Sequence, residues 1–176
     1  MKSEWQGINA KGTVLINLAY ETFHLTKGPL TIDSIAYTPK DELHVTLVGE
    51  DVGAILQNKI KQVPKTSELL EHVFDDIDWS FKRSGPMHVL SRQNKNTVQK
   101  SIIMLIDMPG VAGFYQQLKL LELIPDDTAI PPAHVTLYTH NCPLGIGVPS
   151  DNILDSLSEK YFSVESFNRF LSLRSR

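Results

Sequence analysis

The chain has 176 residues, 41% of them apolar and 21% charged, with a formal net charge of −3. Such a composition specifies a globular protein with a sizeable core, which excludes a disordered chain. The acidic balance excludes a protein that coats long nucleic acids by counterion release, yet a nucleotide or a short RNA end still fits a local pocket.

In chain order, Thr13–Tyr20 (TVLINLAY), introduced by Gly12 and rich in branched apolar residues, predicts a buried strand. Thr31–Tyr37 predicts a second, closed by Pro39, and Leu43–Val48 a third, ended by Gly49. Glu50–Lys61 has Val52, Ile55, Leu56 and Ile60 on one helical face, and Pro64 stops it. Leu69, Leu70, Val73 and Phe74 form the stripe of a second helix running to Phe74, with Thr66 or Ser67 as its cap.

Ile77–Lys82, Met87–Arg92 and Val98–Met108 predict three strands, separated by turn-forming compositions at Ser84-Gly85-Pro86 and Gln93–Thr97. Pro109-Gly110 ends the last of them, and Val111–Leu123 predicts an amphipathic helix. Pro125, Pro131 and Pro132 impose an extended approach to a strand containing Ala133–Tyr138. An irregular stretch follows over Asn141–Pro149. Ser150 then caps a helix through Lys160, with a strand at Tyr161–Val164 and a short helix at Glu165–Leu173 closing the order. The pattern is α+β with hairpins, in a single domain over residues 1–176.

One tetrapeptide occurs twice: His-Val-Thr-Leu at His44–Leu47 and at His134–Leu137. Side chains alternate along a strand, so His44 and Thr46 share one face while Val45 and Leu47 share the other. The same parity joins His134 with Thr136. Bringing the two strands together places two imidazoles and two hydroxyls around one small space. Histidine exchanges protons near neutrality and hydroxyls donate to anionic oxygens, so this inventory suits phosphate-ester chemistry without a metal.

The flanks extend the pattern. Pro39-Lys40-Asp41-Glu42 leads into the first copy, which Gly49-Glu50 follows, and Pro131-Pro132-Ala133 leads into the second. Two H-x-T motifs about ninety positions apart, each on a strand, resemble those of the 2H phosphoesterase superfamily. That group includes 2′-5′ RNA ligase-like proteins and cyclic nucleotide phosphodiesterases. The resemblance covers most of the chain in layout and only the two short segments in residue identity.

It implies a bilobal fold of two pseudo-symmetric lobes, with two antiparallel sheets, helices on the outside and a central cleft. It also implies His44 and His134 as the catalytic pair, Thr46 and Thr136 as phosphate binders, and hydrolysis of a 2′,3′-cyclic phosphate or a 2′,5′ linkage in nucleotides or short RNA. The alternatives are a nucleotide-binding or scaffold module without turnover, and RNA-end ligation by the reverse reaction. Which histidine is acid and which base stays open, as does the oligomeric state.

Other residues compete for roles. Tyr138 and His140 share the face of His134 and Thr136 if the strand continues regularly, so Tyr138 is a candidate to bind phosphate or stack on a base. Arg92, like Arg83, is a candidate source of positive charge from a neighbouring strand. His24-Leu25-Thr26 is a third H-x-T, set in turn-like surroundings, while His72 and His88 read as ordinary surface or partly buried histidines. No metal is expected, since one histidine per motif strand and a lone cysteine give no recognisable zinc or di-metal set, and no other cofactor is implied. Cys142 excludes an internal disulfide, and as a nucleophile near His140 it is a weak candidate. The polar start and the shortness of the apolar stretches lead to the expectation of a cytoplasmic protein without membrane contact.

Overall fold

A computed structural model describes residues 3–23, 28–83, 85–163 and 165–167. It shows a mixed α+β architecture built on an eight-stranded antiparallel sheet. The strands are β1 (Val14–Leu18), β2 (Leu30–Ile32), β3 (Ile35–Pro39), β4 (Leu43–Val48), β5 (Met87–Asn94), β6 (Thr97–Leu105), β7 (His134–His140) and β8 (Ser158–Phe162). The helices are α1 (Glu50–Gln62), α2 (Thr66–Asp75), α3 (Gly110–Leu120) and α4 (Asp151–Leu157).

The main path across the sheet runs β1-β4-β7-β6-β5-β8, with β3 also paired to β7 and β2 to β3. Two facing sheets were expected, and the strands instead form one connected sheet. Within it β4 and β7 lie edge to edge, so the motif strands are neighbours and do not face each other across a gap.

One face of this sheet carries the main core. Val45, Leu47, Ile102, Met104, Val135 and Leu137 are buried there with Leu56 of α1, Phe74 of α2 and Phe114 of α3. Removing each such side chain from water contributes about 1.5–3 kcal/mol, and the β-branched threonines between them on β4 and β7 favour the strand as well. A smaller cluster lies on the opposite face, where Leu90 and Ile103 pack against Cys142, Ile146, Val148 and Leu154. The helices α1, α2 and α3 therefore share the main core, while α4 packs on β5 from the other side.

Most of the expected elements are present, and the differences have local causes. Thr31–Tyr37 is a hairpin and not one strand: Asp33 and Ser34 take φ values of 49° and 66°, the paired left-handed conformation of a tight two-residue turn. The hairpin tip reaches β8 through an Asp33–Lys160 ion pair.

Ile77–Lys82 forms no strand beyond a single bridge from Lys82 to Asp107. Asp78 accepts the Ser80 amide and hydroxyl, curling the chain, and Trp79 turns inward to donate its indole N–H to the Phe74 carbonyl. The helix expected through Lys160 stops at Leu157, because Ser158 onward pairs with β5 as an edge strand. Its Ser150 cap is present, with the side chain accepting from the Ile153 amide at 3.4 Å. Thr66 and Ser67 sit inside α2, which starts at Thr66 without a side-chain cap. Residues 165–167 are helical, and the remainder of the expected terminal helix lies outside the described residues.

Candidate active site

β4 and β7 run antiparallel with Val45 directly opposite Val135. Both valines point into the main core at 1% and 0% exposure, so their neighbours must point to the other face. Continuing the register by one residue each way sets His44 across from Thr136 and Thr46 across from His134. The histidines are thus diagonal neighbours, a relationship that spans about 7–8 Å between backbones and lies within reach of long side chains. All four motif side chains share one patch of one sheet face.

Flanking strands extend this patch into two rows. One runs Asn17, His44, Thr136, Ile103 and His88 across β1, β4, β7, β6 and β5. The other runs Leu15, Thr46, His134 and Leu105. Ile103 separates His88 from the pair. The His88 Nδ1 meets the Ser158 hydroxyl at 2.8 Å, so that ring serves the β5–β8 edge.

The second motif is the more enclosed. His134 is 7% exposed, and its Nδ1 lies 2.8 Å from the Pro132 carbonyl. A carbonyl only accepts, so Nδ1 carries the hydrogen and the neutral ring presents a bare Nε2. The proline-led approach therefore has a direct chemical use: it positions the acceptor that sets this tautomer. Burial lowers the His134 pKa, partly opposed by that hydrogen bond.

His44 is half-buried, and its pKa is also lowered, first by burial, then by the nearby Lys40 charge, with Glu42 opposing and His134 adding a smaller depression. The influence of the His134 ring on His44 is the electrostatic counterpart of their diagonal placement.

A β-bulge decides what else reaches the patch. Thr136 pairs with Ile103 and Tyr138 with Ile102, leaving Leu137 as the extra residue. Alternation reverses there, so Leu137 and Tyr138 both enter the main core. Tyr138 is fully buried, with its ring 6.4 Å from Phe167, and the structure does not bring it to the histidine pair. The assumption of regular alternation past Thr136 is corrected by this bulge. His140 leaves the patch for the same reason; its Nδ1 meets the Ala36 carbonyl and its Nε2 the Asn141 amide.

Arg92 is also remote. It is exposed near the turn end of β5 and bonds to Gln99 at 2.9 Å, well along the hairpin from the Ile103 row. Arg83 is exposed. Cys142 is buried, and its thiol donates to the Lys100 carbonyl, while both His140 nitrogens are engaged elsewhere, so no cysteine–histidine couple forms. His24-Leu25-Thr26 lies outside the described residues. Among the described residues, no group of three or more His, Cys, Asp or Glu side chains is arranged to hold a metal ion.

One wall of the patch comes from the irregular stretch after β7. Gly145, at φ 86°, approaches so closely that an added Cβ would stand 3.1 Å from the Thr136 hydroxyl. Lys40 joins the same wall, its ammonium donating to the Pro143 carbonyl at 2.8 Å. In the sequence Lys40 reads as motif flank and Asn141–Pro149 as connection. The only available signal was the run of turn-forming residues directly after the motif, which does not reveal where the chain returns. A pocket of about 580 Å³, lined by Ser3, Trp5, Glu71, Asp75, Asp78 and Trp79 among others, includes none of the motif residues.

The chain matches no family model, no curated protein and no solved structure. No helix among the described residues is long and apolar enough to cross a membrane.

Proposed function

We propose that this protein is a 2H-type phosphodiesterase that hydrolyses 2′,3′-cyclic phosphates or 2′,5′-phosphodiester bonds in nucleotides or short RNA, with His44 and His134 as acid and base. The observation that carries the reading is the Val45–Val135 register, which gathers His44, Thr46, His134 and Thr136 on one face. The bilobal arrangement of that superfamily belongs to the same proposal. Its support is that β4 and β7 meet at the middle of the sheet, with β1 on one side and β6, β5 and β8 on the other.

In hydrolysis of a cyclic phosphate, the neutral imidazole takes a proton from water as the water oxygen bonds to phosphorus. The bond from phosphorus to one ribose oxygen breaks, and the imidazolium delivers its proton to that oxygen. The rings exchange protonation states in the process, and solvent restores them. For a 2′,5′ linkage, the ribose 3′-hydroxyl replaces water as nucleophile and the 5′-oxygen is the leaving group. Thr46 and Thr136 donate to the nonbridging oxygens, where charge accumulates. Such chemistry suits a cytoplasmic protein acting on products of RNA processing.

The deciding experiment is incubation with 2′,3′-cyclic nucleotides and 2′,5′-oligoadenylate, using the wild type, His44→Ala and His134→Ala, with and without EDTA. Turnover by the wild type alone, unaffected by EDTA, supports the reading. Tight nucleotide binding without product identifies a binding module instead, and chelator-sensitive turnover identifies a metal-dependent enzyme.

A further inference from the structure

We propose that Lys40 is a phosphate-binding residue of this site, with its ammonium held at the edge of the His44–Thr136 pair by the carbonyl of Pro143. The inference rests on the proposed phosphodiesterase reading and adds the permanent positive charge which that reading lacks. Two hydrogen bonds place the residue. The Lys40 amide donates to the Leu137 carbonyl at 2.9 Å, next to Thr136 in the chain. The side chain then donates to Pro143 at 2.8 Å, two residues before the glycine that packs on Thr136. Backbone and side chain are thereby fixed at separate points of the same wall.

A phosphodiester is anionic, and the threonine hydroxyls are neutral. Burial holds both imidazoles toward their neutral forms, so neither is a standing cation. Among the described residues, Lys40 is the cation whose charge reaches His44, Glu42 is the carboxylate that opposes it and His134 is the titratable neighbour on β7. Asn17, opposite His44 on β1, is uncharged. One N–H of the ammonium is used by Pro143, which orients the group and leaves its remaining donors for a ligand. A lysine that served only to tie the β3–β4 connection to the wall would need a donor but no charge.

That difference sets the test. Lys40→Gln keeps an N–H donor on a side chain one bond shorter and removes the charge, whereas Lys40→Arg keeps both. Inorganic phosphate and adenosine 2′,3′-cyclic phosphate are titrated into each protein, with the histidine ring protons followed by NMR, and turnover and melting temperature are measured in parallel. Loss of a charged hydrogen bond predicts phosphate binding weakened about tenfold and a matching rise in KM for Lys40→Gln, with Lys40→Arg near wild type. The His44 ring should also titrate at higher pH in Lys40→Gln.

Unchanged phosphate binding in Lys40→Gln, with His44→Ala inactive, overturns the role of Lys40 alone. Equal loss of binding in both Lys40 variants, together with a lowered melting temperature, overturns it in favour of a structural tie. A wild type whose histidine signals ignore both ligands overturns the phosphodiesterase reading as well.

Discussion

Val45 lies directly across from Val135, and this one pairing places every motif side chain. Because strand side chains alternate, a slip of one residue in either strand would send His44 or His134 into the core and a valine to the surface. Both valines are essentially fully buried, so the hydrophobic face enforces the polar one. The candidate site is a consequence of core packing on the far side of the same two strands.

Replacing either histidine by alanine should reduce kcat by about 10²–10⁴-fold, the usual contribution of a positioned acid or base. The stability effects should differ. His134→Ala leaves the Pro132 carbonyl without its partner and opens a buried site, costing about 1–3 kcal/mol by urea unfolding. His44 is half-buried, so its replacement should cost less. Near-wild-type turnover in either variant would rule out the two-histidine mechanism.

The pH profile follows from the direction of the shifts. Both histidines have pKa values lowered from 6.5, so the form with one ring protonated and one neutral is most populated on the acid side of that value. The maximum of kcat/KM, which reports the free enzyme, should therefore fall below pH 6.5. Stability should change in the same window. The unfolded chain takes up protons near the ordinary histidine value, whereas the folded rings resist until lower pH, so unfolding free energy falls as pH drops through this range. Urea midpoints across the interval should decline for the wild type and decline less for His134→Asn. A kcat/KM optimum above neutrality would contradict the shifts.

Thr46→Val and Thr136→Val each remove a hydroxyl while keeping the branched shape of a strand residue. Loss of one donor to a developing oxyanion predicts a fall in kcat of about 10²–10³-fold, with serine at either position restoring most of it. Steady-state kinetics on a cyclic nucleotide would measure this, and a change confined to KM would assign the hydroxyls to ground-state binding.

Gly145→Ala should disturb Thr136 from outside the motif. Its φ of 86° is strained for any residue with a Cβ, and that Cβ would stand 3.1 Å from Thr136. A destabilisation of about 1–3 kcal/mol is expected, together with reduced turnover. Thermal melts and kinetics on the same preparation separate the two effects.

Arg92→Ala should leave KM for a cyclic nucleotide unchanged, because the guanidinium is committed to Gln99 at the exposed end of the β5–β6 hairpin. A several-fold rise in KM would show that substrate extends that far along the sheet.

Much of the layout was legible in the chain because it depends on local periodicity. The apolar spacing of Val52, Ile55, Leu56 and Ile60 marks α1, and alternation around His44 marks β4. Less legible were features that depend on partners. The Asp33-Ser34 turn is hidden in the sequence because its composition is less distinctive than that of a glycine-containing turn. The early end of α4 reflects pairing of Ser158 with Leu90, which helical spacing cannot disclose.

The site divides along the same line. By itself, the sequence determined that His44 shares a face with Thr46 and His134 with Thr136, since parity within a strand is a property of the extended backbone. It also supplied Pro132, whose carbonyl holds the His134 tautomer. Only the tertiary structure decided that β4 and β7 are edge-to-edge neighbours in one sheet, that a bulge at Leu137 turns Tyr138 into the core, and that Lys40 and Gly145 close one wall. Those outcomes arise from pairing and packing between separate segments of the chain, and such contacts leave no trace in the spacing of any one of them.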